Sequence, residues 1–559
     1  MRSDYLPAAL GYDPDTSAKR LGDGLYEQRL IQQAVTARTG QAFIDGQNLD
    51  NAGTLKATGN LSATAGQDLV NSGLIDAGDR LDALAINNVT NKSGGIIAGR
   101  DVAVTAVTGD VVNERTVVSL DSTARGQLHK DYVDSASRIE AANDLSISAG
   151  RDINNVGSAL QSGRDLTLTA GRDVNIAATQ VTNSQVLNSK HTSSDITQLG
   201  STVDAGRDVA VQGGRDINVV ASQVAAKGAV AMTATENLTV SSAADEAHKY
   251  DKNKHTKTQK DDVTQVMSGI TAGGAIDLTA GEDMTLVSSR VTAGQDASLV
   301  AGGTLNVLAA QDSHYSLYDY KKKGSFGQKK TKHDESTRVT NIGSEISADG
   351  DVSLLSGGDQ RYQVAKLDSG KDLLITSGGS LAFEGVKDQR QETHTKSNSS
   401  LAWNSSKGKG STDETLRQSE LTAKGTVAIN AVNGLKIDIT KVNKATVSQA
   451  IDSMVAADPK LAWLKDAEKR GDIDWRQVAE IHQRFKYENS SLGAAAQLVI
   501  AIALAAVTGG AAAGLVGATS GTFAAGFANA VALAVETKAA TSFIGNEGRR
   551  LRTQPVAQA

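Results

Sequence analysis

Cysteine is absent from the 559 residues, proline occurs 4 times, and aromatic residues make up 4% of the chain. Without cysteine there is no disulfide, no thiolate nucleophile and no cysteine-ligated zinc. So few aromatics do not suit an ordinary globular core, and with 55 glycines small side chains must fill most of the interior. An excess of one charge is missing too. The 57 basic and 63 acidic residues leave a net charge of −6, so no whole-chain field favours nucleic acid or an anionic membrane, and any basic patch must be local. The opening MRSDYLPAALGYDPD lacks the basic stretch and apolar core of a secretion signal. No phosphate loop, GxGxxG, HExxH or GxSxG occurs. Carboxylates are plentiful but repeated, which speaks against a unique catalytic site, and no cofactor or metal is implied. The nearest metal fold, a calcium β-roll, needs tandem nine-residue units, whereas the spacings here are 8 and 13. The tripeptide Arg470-Gly471-Asp472 is a chance match in a Lys-rich linker.

What the chain does have is a repeat. Residues 162–180, SGRDLTLTAGRDVNIAATQ, state one pattern twice: a small residue, Gly, Arg, Asp, then apolar residues at every second position. Related Gly-x-Asp corners stand at Gly150 and Asp152, Gly163 and Asp165, Gly171 and Asp173, Gly206 and Asp208, Gly214 and Asp216, and Gly281 and Asp283. Intervals of 13 and 8 alternate and sum to 21, a period that indicates a solenoid. After each Asp the apolar residues alternate, as in Leu166 and Leu168 or Val174 and Ile176, so the repeating element is a short strand with one buried face. Stacked coils of such strands make an all-β fold, a right-handed parallel β-helix. The corner glycines are expected to supply positive φ, and each Asp to bond backbone N–H groups of its own corner. Asn154, Asn175, Asn218 and Asn306 each lie four residues past their glycine. They form either a stacked ladder or a set of outward polar positions.

Four polar excursions break the register, near 183–200, 244–268, 311–341 and 387–418, and the longer repeat is read as about three coils plus one excursion. The third, with Tyr315, Tyr318, Tyr320 and Phe326 around a Lys-rich tip, reads as a projecting hairpin. Six of the eight histidines lie in these excursions, without the spacing of metal ligands. Sequence-specific nucleic-acid binding is not expected, because no known module is present.

The organisation expected is a helical lead-in at 1–39, a β-helix at 40–445, a helical cap at 446–489 and an Ala/Gly-rich apolar segment at 490–559. The cap rests on helical spacing of Ile451, Met454 and Val455, and then of Trp475, Val478, Ile481 and Phe485. No charge occurs from Ser490 to Val535. Leu498, Val499, Ile500, Ile502 and Leu504 are candidates for membrane contact, together with two close-packing glycine pairs, Gly510 with Gly514 and Gly517 with Gly521. A buried helical hairpin accounts for the same pattern.

The AGRDVNIAA and SGRDLTLTA units with long polar excursions resemble the hemagglutinin repeats of filamentous hemagglutinins and contact-dependent growth-inhibition effectors. Asp4-Tyr5-Leu6-Pro7, Leu10-Gly11-Tyr12-Asp13-Pro14-Asp15, Lys19-Arg20-Leu21-Gly22-Asp23-Gly24 and Tyr26-Glu27-Gln28-Arg29-Leu30-Ile31 resemble the element before the distal repeats of that family. The tail from about Ala445 resembles its pretoxin hemagglutinin-associated domain. The resemblance implies a secreted or surface-exposed bacterial stalk without enzymatic activity of its own. It also implies an outer-membrane two-partner secretion transporter, a target-cell receptor, a possible target membrane, and a C-terminal toxin with its immunity protein. Signal peptide, secretion domain, proximal repeats and toxin are not found, so the chain is expected to be an internal piece of a larger exoprotein or a truncated reading frame. Two other readings stay open: a toxin with activity in the last hundred residues, and a β-helical protein that binds or cleaves polysaccharide.

Overall fold

The computed structural model describes residues 42–439 except 326–327 and 400–402, and then 451–452, 465, 468–469, 473–477 and 481–491. Three parallel sheets of 13, 14 and 12 strands wind around one core, and a fourth sheet of 11 strands stands apart from them. One plain coil shows the plan: Leu145–Ala149 in the first sheet, Ile153–Val156 in the second, Ala159–Ser162 in the third, then Leu166–Ala170 back in the first. Leu145 pairs with Leu166 and Val209 with Val230, each 21 residues on. The path is a right-handed parallel β-helix, the hand favoured for crossovers between parallel strands. Thirteen strands at the parallel-sheet spacing make a rod on the order of 60 Å long.

In-register pairing explains how a core forms with so few aromatics. The inward positions stack like on like, for example Leu145, Leu166 and Val209, then Ile147, Leu168 and Val211, while Ala149 and Ala170 fill the narrow end. Branched aliphatic side chains fit such columns without gaps. The large exception is Tyr362, fully buried and stacked on Phe383 at 5.1 Å, its hydroxyl donating to Gln360 Oε1 at 2.8 Å.

The Gly-x-Asp corners fall into two columns, and this is the origin of the alternating intervals. Gly163 and Gly206 precede first-sheet strands, whereas Gly150, Gly171, Gly214 and Gly281 precede second-sheet strands. None of these six has positive φ, so the expected reason for glycine is corrected. A Cβ on Gly171 would run into the carbonyl oxygen of Gly150, one on Gly214 into that of Gly171, and one on Gly206 into that of Gly163. Close approach of successive coils, not backbone sign, excludes a side chain. Apart from Gly434 at 91°, positive φ along the coils is found at the third corner, between the second and third sheets, as at Gly157 (59°), Ala221 (45°), Ser288 (43°) and Val364 (50°). Three of those four carry side chains in a region that L-residues avoid.

Among the described residues five hairpins leave the rod, all at this same third corner. They are Val117–Ser122 with Gln127–Val133, Thr179–Asn188 with His191–Leu199, Ala243–Lys252 with Thr256–Val266, Ala310–Lys323 with Lys329–Ile342, and Val386–Ser399 with Asn404–Arg417. The last four are the expected excursions; the first was not anticipated. Coils with and without a hairpin alternate: Leu166 pairs with Val209, 43 residues on, and Val209 with Val230, only 21 on. The longer repeat is therefore two coils plus a hairpin, not three coils. The reason is geometric, since two coils rise by two strand spacings and a hairpin is two strands wide. Each hairpin thus meets the next edge to edge, as Asp195 meets Ala247 and Asp262 meets His314.

The expected helical spacing after Ile473 is also corrected. Ile473–Gln477 extends the second sheet alongside Leu435–Ile439, and His482–Ser491 closes the hairpin sheet against Asn404–Arg417. Both positions are open sheet edges whose N–H and C=O groups need partners, and that demand outweighs a weak 3.6-residue pattern. Among the described residues of that stretch, helix is assigned at 451–452, 465 and 468–469. The lead-in at 1–39 and the segment 490–559 past Ser491 lie outside the described residues. So do all the candidate membrane-contact residues, Leu498, Val499, Ile500, Ile502, Leu504, Gly510, Gly514, Gly517 and Gly521. No described helix is long and apolar enough to cross a membrane.

Candidate functional site

The rod's polar corners are consumed in holding coils together. Each corner Asp bonds the next coil rather than its own: Asp173 N–H donates to Asp152 Oδ1 at 3.2 Å, Asp216 N–H to Asp173 Oδ1 at 3.3 Å, Ala229 N–H to Asp208 Oδ1 at 2.8 Å and Thr304 N–H to Asp283 Oδ1 at 2.7 Å. The Arg of each Gly-Arg-Asp corner reaches back one coil, Arg172 to Asp152, Arg215 to Asp173 and Arg207 to Asp165. The Arg207 guanidinium holds the Asp165 carboxyl below the usual range. The guanidinium fork suits such two-oxygen contacts.

Asparagine continues this logic along the second sheet, and asparagine and serine do so at the third corner. Asn175 Nδ2 donates to Asn154 Oδ1 at 2.9 Å and Asn218 Nδ2 to Asn175 Oδ1 at 3.0 Å, so the ladder reading holds there. Asn306 does not join; its amide donates to Thr304 Oγ1 at 3.2 Å. A longer, buried ladder went unread: Asn51, Asn71, Asn91, Asn113 and Asn155, each Nδ2 2.8 Å from the next Oδ1 in the first three steps and again from Asn113 to Asn155. Its signal is an Asn closing LDN, LVN and VTN at steps of 20. Beyond it the third corner turns to serine, with Ser201 N–H donating to Ser222 Oγ at 3.0 Å and Ser222 N–H to Ser268 Oγ at 3.2 Å.

The hairpin sheet is built differently, and all eight histidines lie on it. Seven stand directly across from an aspartate. On one face the pair closes a hairpin on itself: His129 with Asp121, His248 with Asp261, and His333 with Asp319. On the opposite face the pair joins one hairpin to the next strand pair: His191 with Asp251, His314 with Asp262, His394 with Asp334, and His482 with Asp413. The eighth, His255, sits in the third turn with Nδ1 3.1 Å from the Lys321 carbonyl oxygen. A ring N–H placed directly across from a carboxylate supports pairing and register.

Three of these rings are held at both nitrogens. His248 lies 3.0 Å from Asp261 and 2.8 Å from Glu246, His129 lies 2.8 Å from Asp121 and 3.1 Å from Asp131, and His333 lies 2.6 Å from Asp319 and 3.3 Å from Glu335. Carboxylates only accept, so both nitrogens donate and the ring is an imidazolium. The bonds from Asp261 and then Glu246 push His248 up to about 9. Glu335, and then Asp319, push His333 up to about 9. Glu335 is held below its ordinary value by His333 and by the Tyr315 hydroxyl, which donates to it at 2.8 Å. The histidines stand out in the sequence as residents of the excursions, but this role does not, since partners such as His191 and Asp251 are 60 residues apart.

A hemagglutinin repeat model matches residues 122–190, 182–260 and 249–400, and a second haemagglutinin repeat model matches 34–129. The chain is 28% identical over 349 residues to the tRNA nuclease CdiA of Escherichia coli (strain STEC_O31), covering 56% of this chain and 10% of that protein. It is 48% identical over 44 residues to the tRNA nuclease CdiA-2 of Burkholderia pseudomallei (strain 1026b), covering 8% of this chain and 1% of that protein. The chain therefore spans a small part of the length of either relative. No solved structure matches it. Repeat matches and coil architecture agree: the chain belongs to the hemagglutinin-repeat family of filamentous hemagglutinin and contact-dependent growth-inhibition exoproteins.

Proposed function

We propose that this chain is a length of stalk within a secreted or surface-exposed bacterial exoprotein, exported through an outer-membrane two-partner secretion transporter, that holds a terminal toxin away from its own cell and presents it to a target cell. The observation that carries this reading is the use of the corner Arg and Asp groups in coil-to-coil contacts, which makes the repeat a scaffold rather than a reaction centre. The relatives carry the name tRNA nuclease, and in the stalk reading such an activity belongs to a module the rod supports. The wholly uncharged stretch at 490–535 is the part of the chain suited to a later membrane step.

A chimaera tests this. Residues 42–439 would replace the matching repeats of the Escherichia coli relative, and inhibition of target cells would be measured beside surface display. Retained inhibition is expected, and loss of inhibition by a displayed chimaera would contradict the proposal. For the toxin alternative, expression of residues 440–559 inside a bacterium should leave growth unchanged. A polysaccharide-cleaving groove would need carboxylates clustered on one coil face. On the third sheet Asp76, Glu140 and Asp204 are instead two coils apart, about 10 Å, and Lys56 lies 2.7 Å from Asp76.

A further inference from the structure

Charge is strongly segregated along this molecule. The ends of the third, fourth and fifth hairpins, residues 250–258, 318–332 and 394–409, hold 12 lysines and 2 aspartates, a net charge of +10 in a chain of net charge −6. The register brings these ends side by side along the rod axis, because Thr256 pairs with Tyr320 and Lys332 with Lys396. Lys332, Lys396 and Lys407 then stand in one row across three adjacent strands. Lys332 also pairs with Asp334, and Lys407 stands across from Glu488 on the last strand of that sheet. On the fourth hairpin Lys321, Lys322, Lys323, Lys329 and Lys330 are exposed, and among the described residues none of these five has an ion-pair partner. Aromatics sit among the cations: Lys332 lies over the Tyr318 ring at 5.2 Å and Lys257 over Tyr250 at 5.8 Å, and Trp403 at the fifth tip is 55% exposed.

We propose that these three hairpin tips form an edge that docks on a membrane surface rich in anionic phospholipid headgroups. Several features favour this partner over a soluble polyanion. The described strand ends follow one another along the sheet at about 10 Å per hairpin, which suits a broad, laterally adaptable array of phosphates and not a single strand threaded through a groove. The cations are all lysines, point charges that attract phosphate without demanding the planar two-oxygen geometry of arginine. Lysine clusters of this size attract anionic leaflets, and tyrosine and tryptophan favour the headgroup level. The proposal does not depend on any toxin, and it assigns the contact to the hairpin tips rather than to the apolar stretch at 490–535.

The test is co-sedimentation of the full 559-residue chain with vesicles of phosphatidylcholine alone or with added phosphatidylglycerol. The comparison variant carries Lys321→Gln, Lys322→Gln, Lys323→Gln, Lys329→Gln and Lys330→Gln, exposed positions that leave every histidine–aspartate pair in place. Circular dichroism confirms that it stays folded. The expected result is binding to phosphatidylglycerol vesicles alone, at least tenfold weaker for the variant and lost at high salt. Equal binding of variant and parent, salt-resistant binding to neutral vesicles, or capture by heparin or single-stranded DNA with anionic vesicles ignored would each overturn the proposal.

Discussion

The rod and the hairpin sheet are made from the same chain in alternating pieces, yet they are held together by different forces. The rod buries columns of Leu, Ile, Val and Ala around one continuous core. Along the hairpins, away from their bases, Leu317 is the buried aliphatic side chain among the described residues, and cross-strand pairs such as His248–Asp261 and His333–Asp319 replace the core. Burial is non-directional and tolerates any well-fitting aliphatic residue. Charge pairs fix register, give little energy when exposed and depend on pH. The rod should therefore be the stable, salt-insensitive partner, and the hairpin sheet the part whose order responds to solution conditions.

Substitutions that attack one region and spare the other would break this contrast most visibly. Leu278→Ala removes a fully buried side chain from a first-sheet column and should cost about 3 kcal/mol. The loss should appear as faster amide exchange in the neighbouring coils, with hairpin amides unchanged, because coil stability in a solenoid is set by nearest neighbours. Asn91→Ala interrupts the buried ladder between Asn71 and Asn113. Leaving those amides short of a partner should cost roughly 2 kcal/mol, read as local exchange around the first coils.

The pH response runs the other way. His248 and His333 are raised to about 9 when folded, against an ordinary value of about 6.5. Their stabilisation is thus fully present below pH about 6.5 and fades as pH rises through 9. Glu335 is lowered on folding, so its share is present above its ordinary value and fades on acidification. Hairpin amide exchange should accelerate between pH 7 and 10, after correction for intrinsic rates, while rod amides hold steady; His248→Gln should remove part of that dependence. A smaller effect, of opposite sign, is expected at the third corner. Val364 has φ of 50°, and Val364→Gly should stabilise its coil by about 1 kcal/mol, seen as slower local exchange.

The rod was legible in the sequence because its forces are written in local pattern. Alternation after each Asp, as in Leu166 and Leu168, gave the strands, and the interval from Gly150 to Gly171 gave the coil. What glycine does at the corner was misjudged, because the nearest obstacle, the Gly150 carbonyl in front of Gly171, belongs to a different coil. The first hairpin is not among the expected excursions, although Asp101 and Asp144 stand 43 residues apart where a plain coil needs 21. The histidine–aspartate pairs were illegible for the same reason as the corner contacts. Which His meets which Asp is decided by hairpins stacking two strands for every two coils, a matching of lengths that only the folded rod supplies.

That matching is the central claim, and the absence of cysteine allows a direct measurement. Ser193 on the second hairpin stands directly across from Lys249 on the third, at a separation that a disulfide spans. In a chain carrying Ser193→Cys and Lys249→Cys, mild oxidation should give a rapid crosslink within the monomer, detected by electrophoretic mobility and by mass spectrometry of the joined peptides. A control with Ser193→Cys and Lys260→Cys, one strand further along, should stay reduced. Crosslinking in the control but not in the first chain, or only between molecules, would show that the hairpins do not stack in step with the coils.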